Sequence, residues 1–223
     1  MQRIIIAIDG FSGCGKSTTA RQVAQILNYR YIDTGAMYRA VTLYFLDNNV
    51  DPADSVAVDN ALEKMQVTFH TDENGISSAF LNGQNVEDQI RSMRVAGQVS
   101  RISAIPAVRK AMVRQQHLMG AKRGLVMDGR DIGTVVFPDA ELKIFLTADI
   151  KIRAERRQHE LREKGIVVEL DKIIQNLEER DFADSTRTES PLKKAQDAIT
   201  IDTSGIRISD QVNQVIGLAR QRM

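Results

Sequence analysis

Gly10-Phe11-Ser12-Gly13-Cys14-Gly15-Lys16-Ser17 sits between two segments of opposite character. Before it, Arg3-Ile4-Ile5-Ile6-Ala7-Ile8-Asp9 is short, continuous and β-branched, the pattern of a strand buried on both faces. After it, Ala20, Val23, Ala24 and Leu27 recur at helical spacing from Ser17 to Leu27. The octapeptide matches G-x-x-x-x-G-K-[ST], a match expected roughly 0.004 times by chance in a chain of this composition. In such a loop the glycines let backbone N–H groups turn toward phosphate, the lysine reaches the β- and γ-phosphates, and the hydroxyl meets Mg²⁺. Gly10 to Ser17, with the adjoining Thr18, are therefore the candidate ATP-binding residues. Lys16 is the candidate catalytic cation, expected to face ligand rather than to pack. Cys14 is read as a loop filler.

Working outward, Tyr31-Ile32 is a second short strand, and helical periodicity resumes from Ala36 to Leu46. Strand, helix, strand, helix is the order of a parallel α/β sheet. Between about 50 and 99 the pattern changes. Val67 to His70, a polar turn at Asp72–Gly75 and Ile76 to Leu81 read as a hairpin, and Asn82-Gly83 as a further turn. An inserted subdomain is expected there. Pro106 opens a helix to about Met119. Strands follow at Leu125–Met127, Leu142–Leu146 and Ala198–Ile201. Helices are expected from Ile150 to about Lys164, from Asp171 to at least Arg180, and at the C-terminus, capped by Ser209 and carrying Val212, Val215, Ile216 and Ala219 on one face.

Composition excludes whole classes. The 223 residues carry 30 Lys+Arg and 29 Asp+Glu, a net charge of +1, so no bulk positive field calls for nucleic acid or a membrane surface. The single cysteine forbids an internal disulfide, which suits a reducing cytoplasm. The early apolar run Ile4–Ile8 is too short for a membrane span. His70, His117 and His159 show no metal-ligand spacing.

Three further clusters bear on the acceptor. Asp33 to Arg39 stands at the carboxyl end of a strand, where open α/β sheets bind ligands, and Arg39 would point from the first turns of a helix into that crevice. Asp128-Gly129-Arg130-Asp131 stands at another strand's carboxyl end. Its two acids and its arginine suit Mg²⁺ ligation, with Asp128 and Ser17 as candidate metal ligands, and phosphate clamping by Arg130. Arg153, Arg156 and Arg157 share a helix face, and Arg180, Asp181, Asp184 and Arg187 follow. Beside the phosphate loop, the region of about 150–190 reads as a mobile lid bringing arginine to the transferring phosphoryl group, with Arg130, Arg157 and Arg187 as candidate catalytic residues beside Lys16.

On these motifs the chain resembles a nucleoside monophosphate kinase, and within that group the bacterial cytidylate kinases. The resemblance covers essentially the whole length. It rests on residues 10–17, Asp33 to Arg39, Ser100 with Arg109, Asp128-Gly129-Arg130-Asp131-Ile132-Gly133-Thr134-Val135-Val136-Phe137-Pro138, and Arg180-Asp181-Phe182-Ala183-Asp184-Ser185-Thr186-Arg187. Gly129 to Pro138 is the most specific stretch. Phe11 stands where the family often has Pro, and Thr34 where it often has Ser.

The resemblance implies a central five-stranded parallel sheet with the phosphate-loop strand in the middle, an inserted acceptor-binding subdomain and a helical lid. It implies transfer of the ATP γ-phosphoryl group to CMP and dCMP, with Mg²⁺, by a cytoplasmic monomer of pyrimidine nucleotide metabolism. Ser100, Arg109 and Asp131 would hold cytosine. Thr34, Arg39 and Arg130 would hold the acceptor phosphate, and Arg180, Asp184 and Arg187 would reach sugar and phosphate. A carboxylate accepts from the cytosine amino group, and uracil reverses that polarity. A kinase for another small acceptor (a different monophosphate, a sugar or a shikimate-like compound) and a nucleotide-binding switch are the alternatives. A guanine-reading N-K-x-D motif, expected of a switch GTPase, does not occur.

Overall fold

The structure, a computed structural model, describes residues 2–73, 77–163 and 165–223. β1 (Ile5–Gly10) is buried at all six positions, as its unbroken apolar run requires. The chain then leaves through the glycine-rich loop into α1 (Lys16–Leu27). β2 (Arg30–Asp33) leads into α2 (Thr34–Asp47), whose first turn is capped by the Asp33 carboxylate accepting from Ala36 N–H at 3.0 Å. α3 (Ser55–Glu63), β3 (Val67–Thr71), β4 (Ser77–Leu81) and β5 (Gln84–Asn85) follow. Next come α4 (Met93–Ala96), α5 (Val99–Ser103) and α6 (Pro106–Gly120). β6 (Leu125–Gly129), a π-helical turn at Ile132–Val136, β7 (Leu142–Thr147), α7 (Ile150–Glu163), α8 (Leu170–Thr186), β8 (Ile199–Asp202) and α9 (Ile208–Arg220) complete the chain.

The central sheet runs in the order β2-β6-β1-β7-β8. β1 pairs in parallel with β6 and β7, and β7 in parallel with β8. The phosphate-loop strand is thus central, and the loop leaves from the sheet's carboxyl edge. α9 lays Val212, Val215, Ile216 and Ala219 into a core shared with Ile4, Ile6, Ile8, Ala20, Val23 and Ile144. Its N-cap is Arg207 rather than Ser209, which lies inside the first turn. The Arg207 carbonyl accepts from Asp210 and Gln211 N–H, both at 3.1 Å, and so starts the helix two residues earlier than the serine suggests.

The chain divides into two compact units, Met1–Tyr31 with Arg123–Met223, and Ile32–Lys122. The second holds an antiparallel sheet, β3-β4-β5. Asn82 and Gly83, with φ of 49° and 82°, make its tight turn, the conformation that favours an Asn-Gly pair. Gly75 and Ile76 of the expected turn and strand, and Lys164 at the expected helix end, lie outside the described residues. The short helices α3, α4 and α5 carry too few turns for a visible apolar stripe, and no sequence periodicity announces them.

Candidate functional site

In the first unit the loop from Gly10 to Ser17 is shaped by backbone freedom and close approach. Gly10, Gly13 and Gly15 have φ of 145°, 79° and 82°. A Cβ on Gly10 would lie 2.1 Å from the Leu146 carbonyl oxygen, so only glycine fits there. Phe11 packs edge-on to Phe145, Cys14 is buried, and Thr18 is exposed on α1.

Lys16 is buried, contrary to the expectation that it stands open to ligand. Its ammonium donates to the Phe11 carbonyl at 2.6 Å, folding back along the loop. Burial pushes its pKa down to about 8, and the nearby Arg130 guanidinium acts in the same direction. Ser17 Oγ donates to Asp128 Oδ2 at 2.9 Å, and Tyr31 OH donates to Asp128 Oδ1 at 2.8 Å. Ser17 and Asp128, from α1 and the end of β6, are therefore in direct contact.

Arg130 donates from Nε to Asp184 Oδ2 at 2.8 Å and from a terminal nitrogen to Ser12 Oγ at 2.7 Å. Burial would push the Asp184 carboxyl up, but the guanidiniums of Arg130, Arg187 and Arg180 hold it below its usual range. Arg187 donates to Asp184 Oδ1 at 3.1 Å and to the Ser190 carbonyl at 2.9 Å, and lies 4.0 Å from Asp131. Asp128, Arg130, Asp131, Arg180, Asp184 and Arg187 thus form one charge cluster beside the loop, Asp128 and Asp131 buried and the others half-buried.

The three arginines of α7 do not act alike. Arg153 is buried, donates to the Ser12 carbonyl at 3.1 Å and to Asp181 Oδ2 at 2.5 Å, and lies 5.3 Å over the Phe11 ring. Arg156 binds Thr203, whose hydroxyl donates to the Cys14 carbonyl at 3.2 Å. Arg157, the one sequence reasoning favoured for catalysis, is 40% exposed and pairs with Glu160 at 3.0 Å. Arg153 is thus the α7 arginine in contact with the loop. Its burial was not readable from the i, i+3, i+4 pattern, because all three share one side of the helix.

In the second unit Asp33 pairs with Arg91 at 2.9 Å, and Arg91 also pairs with Glu87 at 2.9 Å. Burial would push the Asp33 carboxyl up, yet the Arg91 and Arg39 guanidiniums together hold it below its usual value. Thr34 is buried at the start of α2, and Arg39 is half-buried one turn on. Gly35 keeps that turn open, since a Cβ there would lie 3.0 Å from Asp33 Oδ1 and 3.2 Å from an Arg39 terminal nitrogen. Arg109 on α6 is 2% exposed, lies 5.0 Å over the Tyr38 ring and donates to the Ser103 carbonyl at 3.3 Å. Ser100 is exposed on α5. Sequence reading missed Arg91, Tyr31 and Asp9. Nothing local distinguishes Arg91 from other arginines, whereas an acid closing an apolar strand, as Asp9 does, is a usable signal.

A sequence model of the cytidylate kinase family matches residues 6–221. The cytidylate kinase of Cytophaga hutchinsonii is 53% identical, with 100% of this chain and 96% of that one covered. Those of Bacteroides fragilis and Listeria innocua are 52% and 48% identical, covering 95% and 100% of this chain and 94% and 98% of theirs. Among solved structures, shikimate kinase from Acinetobacter baumannii in complex with shikimate superposes with a TM-score of 0.50 at 13% identity, covering 99% of this chain and 94% of that one. At that identity the likeness speaks for the fold alone, a phosphate-loop kinase sheet. With the loop, the charge cluster and near-full-length relatives at about half identity in agreement, the chain belongs to the cytidylate kinase family.

Proposed function

We propose that the protein transfers the γ-phosphoryl group of ATP to CMP and dCMP, giving CDP or dCDP and ADP. The observation that carries this reading is the cluster in which Arg130 bridges Ser12 of the phosphate loop and Asp184 of α8. It sets fixed positive charge beside the loop, where a transferring phosphoryl group needs it. Family membership supplies CMP as acceptor.

Loop N–H groups and the Lys16 ammonium hold the β- and γ-phosphates. To do so, Lys16 exchanges the Phe11 carbonyl for phosphate oxygens, a short swing on a flexible stem. Arg130 and Arg187 stabilise charge on the equatorial oxygens. The acceptor phosphate oxygen is already anionic at neutral pH, so the residues need supply no strong general base. Thr34 and Arg39 take the acceptor phosphate, and Arg109, Ser100 and Asp131 the base.

Ser17 and Asp128 fit a magnesium ion. They are two hard oxygen donors already 2.9 Å apart, and Mg²⁺ in phosphoryl-transfer sites uses one or two protein ligands with phosphates and water completing the shell. When bound, the ion neutralises phosphate charge. Tyr31 orients Asp128 for this role.

Residues 150–190 act as the lid. In support, α7 and α8 have a small core of their own, Ala154, Leu161, Ile173 and Leu177, which lets them move together. Among the described residues no helix is long and apolar enough to cross a membrane.

An ADP-release assay across nucleoside monophosphates, gluconate and shikimate tests the assignment. CMP and dCMP should give the highest kcat/KM. A higher value with any non-cytidine acceptor would refute it.

A further inference from the structure

Asp9 ends β1, one residue before the phosphate loop, and is 4% exposed. Its register partner on β6 is Gly129, which presents no side chain. The carboxylate is therefore free to reach the chain just beyond. Oδ1 accepts from Ile132 N–H at 2.8 Å, and Oδ2 from Gly133 N–H at 2.7 Å. Both oxygens are thus committed to two successive amides of one turn, a short, charge-assisted pair of bonds in a buried place.

That turn directly follows Arg130 and Asp131. It is seated tightly. Ile132 is fully buried, and a Cβ on Gly133 would lie 3.1 Å and 3.3 Å from Lys143 side-chain carbons and 3.4 Å from Asp9 Oδ2. With residues 132 and 133 held, the two residues before them have little backbone freedom. Burial pushes the Asp9 carboxyl up to about 7, a cost the protein keeps although an asparagine would avoid the charge. The neighbouring Asp131 carboxylate adds to this rise, and the Lys16 ammonium opposes it. An asparagine would offer one oxygen and one NH₂ to two N–H donors. One bond would be lost and one donor set against another.

We propose that Asp9 is a positioning residue for the acceptor: through the Ile132 and Gly133 amides it fixes where Arg130 and Asp131 point, and it ties that setting to the strand carrying the phosphate loop. The proposal rests on the reading of Arg130 and Asp131 as acceptor residues. It differs from a purely structural role in one respect. Loosening the turn should degrade recognition of the acceptor far more than binding of ATP.

The test uses Asp9→Asn and Gly133→Ala, with Asp131→Ala alongside. Gly133→Ala leaves the carboxylate in place and presses on the turn, so it serves if Asp9→Asn does not fold. KM for CMP and for ATP, and kcat/KM for CMP and UMP, are measured on each folded variant. In both turn variants KM for CMP should rise about tenfold and the CMP/UMP ratio should narrow by roughly the same factor, as for the loss of one discriminating contact. KM for ATP should change less than about threefold, since no loop donor is removed. Equal rises in both KM values would overturn the proposal. A CMP/UMP ratio that narrows in Asp131→Ala but stays at the wild-type value in the turn variants would overturn it while sparing the base reading. A ratio unmoved in all three would refute base reading by Asp131, and the proposal with it.

Discussion

The phosphate-loop region and the acceptor residues of the second unit solve the same problem by different routes. Around the loop, a contiguous motif supplies shape. Three glycines in the left-handed or mirror-extended region bend the backbone, and charge gathers there from β6, α7 and α8. Between Asp33 and Arg39 no run of positive-φ glycines bends the chain. Asp33 caps the helix that carries Arg39, and the Asp33 carboxylate pairs with Arg91, fifty-eight residues further on. A site built from adjacent residues tolerates changes elsewhere in the fold. A site held by a distant ion pair transmits them.

The sharpest way to break this contrast is Lys16→Met. It should lower kcat by about 10³-fold, because the cation meets charge that develops in the transition state. It also removes a buried charge, so the melting temperature should hold or rise. Steady-state rates with thermal melts check both; a variant keeping more than about a tenth of the wild-type rate defeats the role.

Arg153→Ala should be next in size. It leaves the Asp181 carboxylate, 13% exposed, without its buried partner. A loss of about 3 kcal/mol in chemical denaturation is expected. A change under about 1 kcal/mol would mean that Arg153 does not brace the loop.

Arg91→Ala probes the distant ion pair. The expected cost is about 1–3 kcal/mol, with KM for CMP rising and KM for ATP unmoved. The pH dependence has a definite sign. The folded Asp33 pKa is depressed, so its contribution is present above the ordinary carboxylate value of 3.8 and is lost as pH falls through the lower folded value. Melts against pH should show wild type and variant converging at the acid end. A constant gap would remove Asp33 as the partner that matters.

Lys16 gives a fourth measurement. With its pKa near 8, the ammonium of the free enzyme is lost as pH rises through that value. kcat/KM for ATP should then fall about tenfold per pH unit above it. The stability effect has the opposite sign: between about 8 and the ordinary 10.5 the unfolded chain holds the proton that the folded chain has released, so folding gains as pH rises. A flat rate profile to pH 10 would show that the burial seen here does not govern the working enzyme.

The smallest effect separates two neighbours on α7. Arg157→Ala should change stability by less than about 0.5 kcal/mol, its partner being an exposed glutamate. If the lid brings Arg157 to the phosphates, kcat should still fall; an unchanged kcat would remove it from the catalytic set.

The strands of the sheet, the loop and the C-terminal helix were legible in the residues themselves. Each is decided by local physics: an unbroken β-branched run can be stable only when buried on both faces, a glycine pattern permits one kind of turn, and an apolar stripe at helical spacing needs a core to cover it. The Asn82-Gly83 turn was legible for the same reason. The burial of Lys16, the contact of Arg153 rather than Arg157 with the loop, the hold of Arg91 on Asp33 and that of Asp9 on the turn after Asp131 emerge only when the chain has folded. The charge on a side chain is written in the sequence. Its partner is not, because electrostatic energy depends on separation and burial in space, and those exist only once distant segments have packed.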